Sequence, residues 1–186
     1  VFASNTEARN EVRFEGSGRR GTTVRGRIAE NRISVVTPGS GAVLPVHLNP
    51  HVDFAVPQGQ SSPADVRARS LSQPTALVFG PGGDTLWVAA LGSAKVAALA
   101  VSTLTPAAFV PDASRHVTVP DGPAGLAINA SGSRLFVYSH IAHAVSIVDT
   151  AARAVLRTRA LFSPEASAVR SGRRLLYDAA ATSGNG

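Results

Sequence analysis

The sequence predicts an all-β fold made of β-propeller blades, each of four antiparallel strands, in an incomplete ring of about three to four blades. Three observations predict it. First, Pro74–Val101 aligns without a gap on Pro123–Thr150, at an offset of 49 residues. Second, the apolar runs within each copy alternate at period two, and no stripe at the helical period of 3.6 competes with them. Third, Gly, Asp and Ser residues punctuate the runs at the same places in each copy, marking four short strands and their turns. A β-sandwich also supplies short strands. It does not predict one four-strand order recurring in register.

The elements follow in order. Residues 1–48 read as the end of one blade with an inserted loop. Here Ile33, Ser34 and Val36 align on Val145, Ser146 and Val148, and Ala42-Val43-Leu44 on Ala154-Val155-Leu156. Residues 49–73 are rich in Pro, Ser and Gln and read as a long inter-blade loop, with room for a short helix around 64–71. Residues 74–122 form a blade: Leu77-Val78-Phe79, a Gly83-Asp84 turn, then Leu86-Trp87-Val88. Residues 123–163 form the next, with Leu126-Ala127-Ile128, Leu135–Tyr138, Val145–Val148 and Ala154–Leu156 as its four runs. Trp87 aligns with Phe136 and is expected to pack between blades. Residues 164–186 read as the first half of a further blade and a loop. Pro164 takes the place of Pro123, and one deletion sets Leu175 on Leu135 and Tyr177 on Val137.

Composition narrows the function. The chain lacks Met and opens on Val1-Phe2-Ala3, which reads as the inside of a strand, so a processed or cut chain is expected. Cysteine is absent, which excludes disulfides, thiol nucleophiles and covalent haem attachment within these residues. No apolar run reaches the ~18 residues of a membrane helix, so no membrane span is expected. Net charge is +6, and Lys95 is the only lysine among 18 basic residues. These are scattered and few aromatics accompany them, so nucleic acid is not an expected partner.

The motifs are sparse. Gly16–Gly21 (GSGRRG) matches GxGxxG, but Thr22-Thr23-Val24 follows rather than an amphipathic helix, so a loop is expected instead of a dinucleotide site. No GxSxG elbow occurs. Asp84, Asp121 and Asp149 lie in or beside turns, where Asx hydrogen bonding accounts for them. Glu7, Glu11 and Glu15 alternate with Arg9 and Arg13, a salt-bridged surface. Asn129-Ala130-Ser131 is a formal glycosylation sequon in a turn. His47 and His51 in HLNPH, with His140 and His143 in HIAH, are the candidate ligands for a divalent metal. HIAH falls where the repeat places the loop between two strands, so loop hydrogen bonding is the competing account. His116 stands alone.

The blade pattern resembles the YVTN-type β-propeller repeats of exported bacterial proteins. Four segments narrow the likeness: SNTEARNEVRFE (Ser4–Glu15), RGRIAENRISVV (Arg25–Val36), HLNPHVDF (His47–Phe54) and RRLLYDAAATSGNG (Arg173–Gly186). These resemble propellers fused to c-type cytochrome domains similar to di-haem cytochrome c peroxidases. In that group a Leu-Tyr-Asp-Ala run and a Thr-Ser-x-Asn-Gly loop, here Leu176–Ala179 and Thr182–Gly186, lead shortly into a CxxCH haem site. The resemblance implies haem c in an adjoining domain, electron transfer there, and a periplasmic or extracellular location. It assigns no cofactor and no catalytic residue to this chain.

The expected role is therefore a non-catalytic propeller scaffold or docking segment. Its expected partners are a c-type haem domain and the rest of the same protein, or another subunit, completing the propeller. The alternatives are a metal-dependent, lactonase-like propeller hydrolase and a metal-binding or surface-adhesion propeller.

Overall fold

A computed structural model describes residues 1–8, 29–52 and 63–179. The GSGRRG segment, the acidic and basic residues 9–15 and the tail 180–186 lie outside them. Three antiparallel sheets carry the fold. The first is β1 (Phe2–Ala8), β2 (Ala29–Thr37) and β3 (Ala42–His47), in the order β1-β2-β3. A short helix α1 (Ala64–Arg69) precedes the second sheet, β4 (Pro74–Phe79), β5 (Thr85–Ala90), β6 (Lys95–Ala100) and β7 (His116–Thr118), in the order β4-β5-β6-β7. The third is β8 (Pro123–Ile128), β9 (Arg134–Ser139), β10 (Ala144–Asp149) and β11 (Ala154–Ala160), in the order β8-β9-β10-β11. These sheets are blades in an open array, an incomplete β-propeller.

Register makes the repeat physical. Trp87 pairs with Ala98, Phe136 with Ile147 and Phe2 with Val35. The outer strands follow: Val96 pairs with Val117, Val145 with Arg159 and Ile33 with Val46. Thus β1, β2 and β3 stand in the register of the second, third and fourth strands of the later blades. The inner strands repeat even their irregularity, with a register shift between Pro74 and Ala76 and another between Pro123 and Gly125. Such a bulge adds local twist where neighbouring inner strands crowd together. The Thr75 hydroxyl donates to the Pro123 carbonyl at 2.9 Å and ties the two inner strands.

Two cores lie between the sheets. Alternation sends Leu86, Val88 and Ala90 of β5 toward the first sheet, against Ile33, Val46, Leu48 and Leu71. The other face of β5 sends Trp87 and Ala89, with Val96, Ala98, Val117 and Val119, against Leu135, Val137 and Val148 of the third sheet. Phe2 meets Phe79 edge-on, with ring centroids 5.2 Å apart.

The chain departs from the sequence expectation after Pro164. Leu175–Tyr177 do not form the second strand of a further blade: Ser167–Tyr177 is a helix, α2. The reason lies in the spacing. Ala168, Val169, Gly172, Leu175 and Leu176 recur at three- and four-residue steps, which puts them on one helical arc. The deletion needed to align this segment on the blade pattern was the mark of that mismatch.

Candidate functional site

One end of the array carries the polar chemistry. The β5–β6 turn, the β9–β10 turn and the crossings that enter β4 and β8 all lie there, as the bonds from Leu91 N to Gln73 O and His140 N to Gly122 O show (3.0 and 2.7 Å). Two side-chain clusters sit at this end, each on one of the helices.

The first surrounds α1. This helix buries no residue, so apolar packing does not hold it. Instead Lys95, the first residue of β6, donates from Nζ to the carbonyl oxygens of Arg67, Ala68 and Ser70 at 2.9, 2.9 and 3.2 Å. These are the orphan carbonyls of a helix C-terminus, where a cation is favoured. His116 Nδ1 donates to Ala68 O at 3.2 Å, and His51 Nε2 to Val66 O at 3.0 Å. Asn49 closes the base of the loop: its amide donates to Leu71 O, and its oxygen accepts from Leu71 N.

Burial, and then Lys95, push the His116 imidazole down to about 4. Burial also lowers His51, and it lowers Lys95. Both imidazoles are therefore neutral in the folded chain at neutral pH. His51 Nδ1 is buried with no hydrogen-bond partner among the described residues, so a proton there would gain no acceptor. The unfolded chain takes up protons near pH 6.5, before the folded chain does. The stabilising effect is full above about pH 6.5 and is lost as pH falls through about 4. Urea unfolding across that window is expected to show stability falling with pH, with a shallower fall in His116→Gln. An unchanged slope in the variant would remove His116 from this account.

The second cluster surrounds α2. Arg173 grips the Glu165 carboxylate with both terminal nitrogens, one of them at 2.9 Å, and His143 Nε2 donates to the same group at 3.0 Å. Hydrogen bonds from Arg173 and then His143 hold the Glu165 carboxyl down at about 2. Arg174 Nε lies 3.3 Å from Asp121, and Ala179 N donates to Gly92 O at 2.9 Å. The helix is thus fastened to the third blade at one end and the second blade at the other. The Tyr138 hydroxyl and His140 Nδ1 share a hydrogen bond at 3.4 Å, and the His140 and His143 rings are 6.0 Å apart.

The four candidate metal ligands do not come together. His47 Nδ1 accepts from Asn49 N at 2.7 Å, and His51 binds a helix carbonyl. His143 is engaged by Glu165, and His140 by Tyr138. Among the described residues, no group of three or more His, Cys, Asp or Glu could hold a metal ion. Sequence reasoning missed Lys95, Glu165 and Arg173. Only the isolation of Lys95, the single lysine, was a signal.

Fold and site together define a class: a β-propeller-type array of blades whose polar side chains fasten helices across one end. Of the comparisons with known proteins, the one with solved structures finds a likeness. No family model matches the sequence, and no curated protein matches it. Among solved structures, hydrazine synthase of Kuenenia stuttgartiensis matches with a TM-score of 0.56 at 14% identity, over 81% of this chain and 42% of that one. A periplasmic gluconolactonase of Pseudomonas aeruginosa matches at 0.49 and 16% identity, over 75% and 38%. The β-propeller domain of Cps50 (Swd1) from Myceliophteria thermophila matches at 0.43 and 13%, over 64% and 31%. The chain spans about two fifths of the length of the first of these. At such identity the likeness is one of fold alone.

Proposed function

We propose that this chain is a non-catalytic propeller scaffold, a docking segment of an exported bacterial protein that lies beside a c-type haem electron-transfer domain. One observation carries the docking reading. Phe136, Tyr138, Val145 and Ile147 stand on the trailing face of the third blade, at the places of Trp87, Ala89, Val96 and Ala98 in the second. In the second blade these positions are buried against the third: Trp87 is 3% exposed. In the third, Phe136 and Tyr138 are exposed, Phe136 to 39%, and Val145 and Ile147 are half-buried. An aromatic and aliphatic row at an interface position fits a partner surface. A further blade of the same protein, or of another subunit, fits it best, because the blades already stack through this row.

The haem neighbour and the periplasmic or extracellular location rest on the sequence resemblance. Among the described residues no group of three or more His, Cys, Asp or Glu converges, so the lactonase-like alternative gains no support from them.

The test is spectroscopic. Residues 1–186, purified alone, are expected to show no Soret band and no lactone turnover, whereas the protein isolated from its source carries covalent haem. A source protein without haem sinks the electron-transfer neighbour. Lactone hydrolysis by residues 1–186 sinks the scaffold reading itself.

A further inference from the structure

We infer that the blade covering the trailing face of the third sheet carries carboxylates on its outer strand, set against Arg157 and Arg159. This rests on the docking reading above and deepens it, because it states the chemistry of the partner that meets that face.

The face divides into an apolar inner part and a basic outer edge. Phe136 pairs with Ile147 and Ile147 with Arg157, while Tyr138 pairs with Val145 and Val145 with Arg159. Paired residues share one side of a sheet. Each row therefore runs from an aromatic ring through an aliphatic side chain to a guanidinium. Arg134, two residues before Phe136 on the same side, is balanced by Asp149 at 2.8 Å. Arg157 and Arg159 are exposed and have no carboxylate partner among the described residues. The uncompensated charge of this face thus lies on its outer strand.

The interface already present in the chain gives the comparison. Val117 of β7 pairs with Val96, as Arg159 of β11 pairs with Val145. Val117 is 4% exposed, in the core between the second and third sheets. Across that interface β11 lies against β7. Thr158 of β11 shares a hydrogen bond with buried Ser146 at 2.9 Å, which sets it on the side facing the second sheet. An apolar residue of the outer strand therefore faces an uncharged strand. At the next interface an arginine holds the place of Val117. A neutral outer strand laid over Arg157 and Arg159 would cost their hydration and give nothing in exchange. A carboxylate at the place of Thr158 gives a charge-assisted hydrogen bond, two-pronged where the geometry allows.

Continuity and charge together choose the occupant. The inner part of the face repeats, place for place, the row that one blade already buries on another, so a blade is what it fits. Charge separates a foreign blade from a second copy of this chain. The copy's first sheet would present the side of β3 on which Val43 and Pro45 pair with Val36 and Ser34. No carboxylate lies on β3, and Glu7 and Glu30 of that sheet hold Arg32. Arg157 and Arg159 would find no acid on that outer strand, and each copy carries +6. A blade with an acidic outer strand meets them favourably.

Tyr138, 37% exposed in the middle of the face, reports the cover. Its rate of nitration by tetranitromethane, read by peptide mass, is compared in residues 1–186 and in the protein isolated from its source. The expected result is a reaction roughly tenfold slower in the source protein, where the face opens only by local undocking. Arg157→Glu with Arg159→Glu in the source protein is expected to recover most of the lost rate, because like charges then meet across the outer strands. Arg157→Gln with Arg159→Gln is expected to recover less. In residues 1–186 neither pair should change the rate or lower the thermal midpoint, since both side chains are exposed there. Protection that survives the glutamate pair overturns the inference and leaves the docking reading standing, with a neutral surface over the face. Equal rates in the two unaltered proteins overturn the docking reading and the inference with it. Protection already present in residues 1–186 with the mass of a dimer replaces the acidic blade by a second copy and overturns the inference as stated. Haem content is read separately, so a haem-free source protein that still protects Tyr138 sinks the haem neighbour and not this surface.

Discussion

Trp87→Ala is expected to lower the free energy of unfolding by about 4 kcal/mol, the largest effect of any single truncation in this chain. The indole is 3% exposed and lies in the core between the second and third blades, with Val96, Val117, Leu135 and Val137 in the same cluster. Removing it costs the transfer free energy of a large aromatic group. It also leaves a cavity that two stiff sheets cannot close, because each sheet is fixed by its own ladder of hydrogen bonds. Urea unfolding followed by far-ultraviolet circular dichroism measures the change. Phe136→Ala serves as the comparison, since it is the same position one blade later and is 39% exposed. Its expected cost in residues 1–186 is about 1 kcal/mol, scaled to the apolar area it has removed from water. Equal losses for the two variants would mean that the trailing face of the third blade is already covered, and would remove the observation behind the docking proposal.

Gly122→Ala is expected to cost about 3 kcal/mol. Gly122 lies on the crossing from β7 to β8 with φ at +70°, a region that an alanine enters at a cost of roughly 1–2 kcal/mol. The added Cβ would lie 2.5 Å from Cγ1 of Ile141 and 2.8 Å from its Cβ and Cδ1. Ile141 is buried, so it cannot swing aside, and overpacking adds roughly another 1–3 kcal/mol. The Gly122 carbonyl also accepts from His140 N at 2.7 Å, so a shift of this backbone reaches the HIAH loop. Gly83→Ala isolates the backbone share: φ there is +80° and a Cβ meets nothing within 4 Å. Thermal unfolding of both variants should place Gly122→Ala well below Gly83→Ala. Similar midpoints would show that Ile141 yields.

The blade pattern was legible because strands write themselves locally. Leu86-Trp87-Val88 and Leu135–Tyr138 alternate at period two, and the turn residues Gly83 and Gly132 recur at the same distance from them. Both take positive φ in the structure, +80° and +73°. Trp87 could be placed between blades because its aligned partner, Phe136, is also aromatic on an alternating strand. The short helix at 64–69 could be foreseen only as an option, since six residues carry too little pattern to outweigh a proline-rich loop.

The candidate site was legible only in part. HLNPH and HIAH suggested metal because two imidazoles lie close in sequence. The structure gives those nitrogens to a backbone amide, a helix carbonyl, a tyrosine and a glutamate. Sequence spacing does not say where a loop nitrogen points. The partners that claim these groups come from other elements: Val66 lies 15 residues from His51, and Glu165 lies 22 from His143.

By itself, then, the sequence determined the repeat and the four-strand order of the blade. Both follow from period-two alternation and turn chemistry, which are properties of neighbouring residues. Only the tertiary structure decided that Glu165, held by Arg173 and by His143 of the third blade, fastens the helix Ser167–Tyr177, and that its leucines face outward. Those outcomes depend on which surface a segment meets after Pro164. A helix whose Arg174 finds Asp121, and whose leading Glu165 finds His143 of the third blade, turns its apolar arc away from the blades, and no local pattern records that choice.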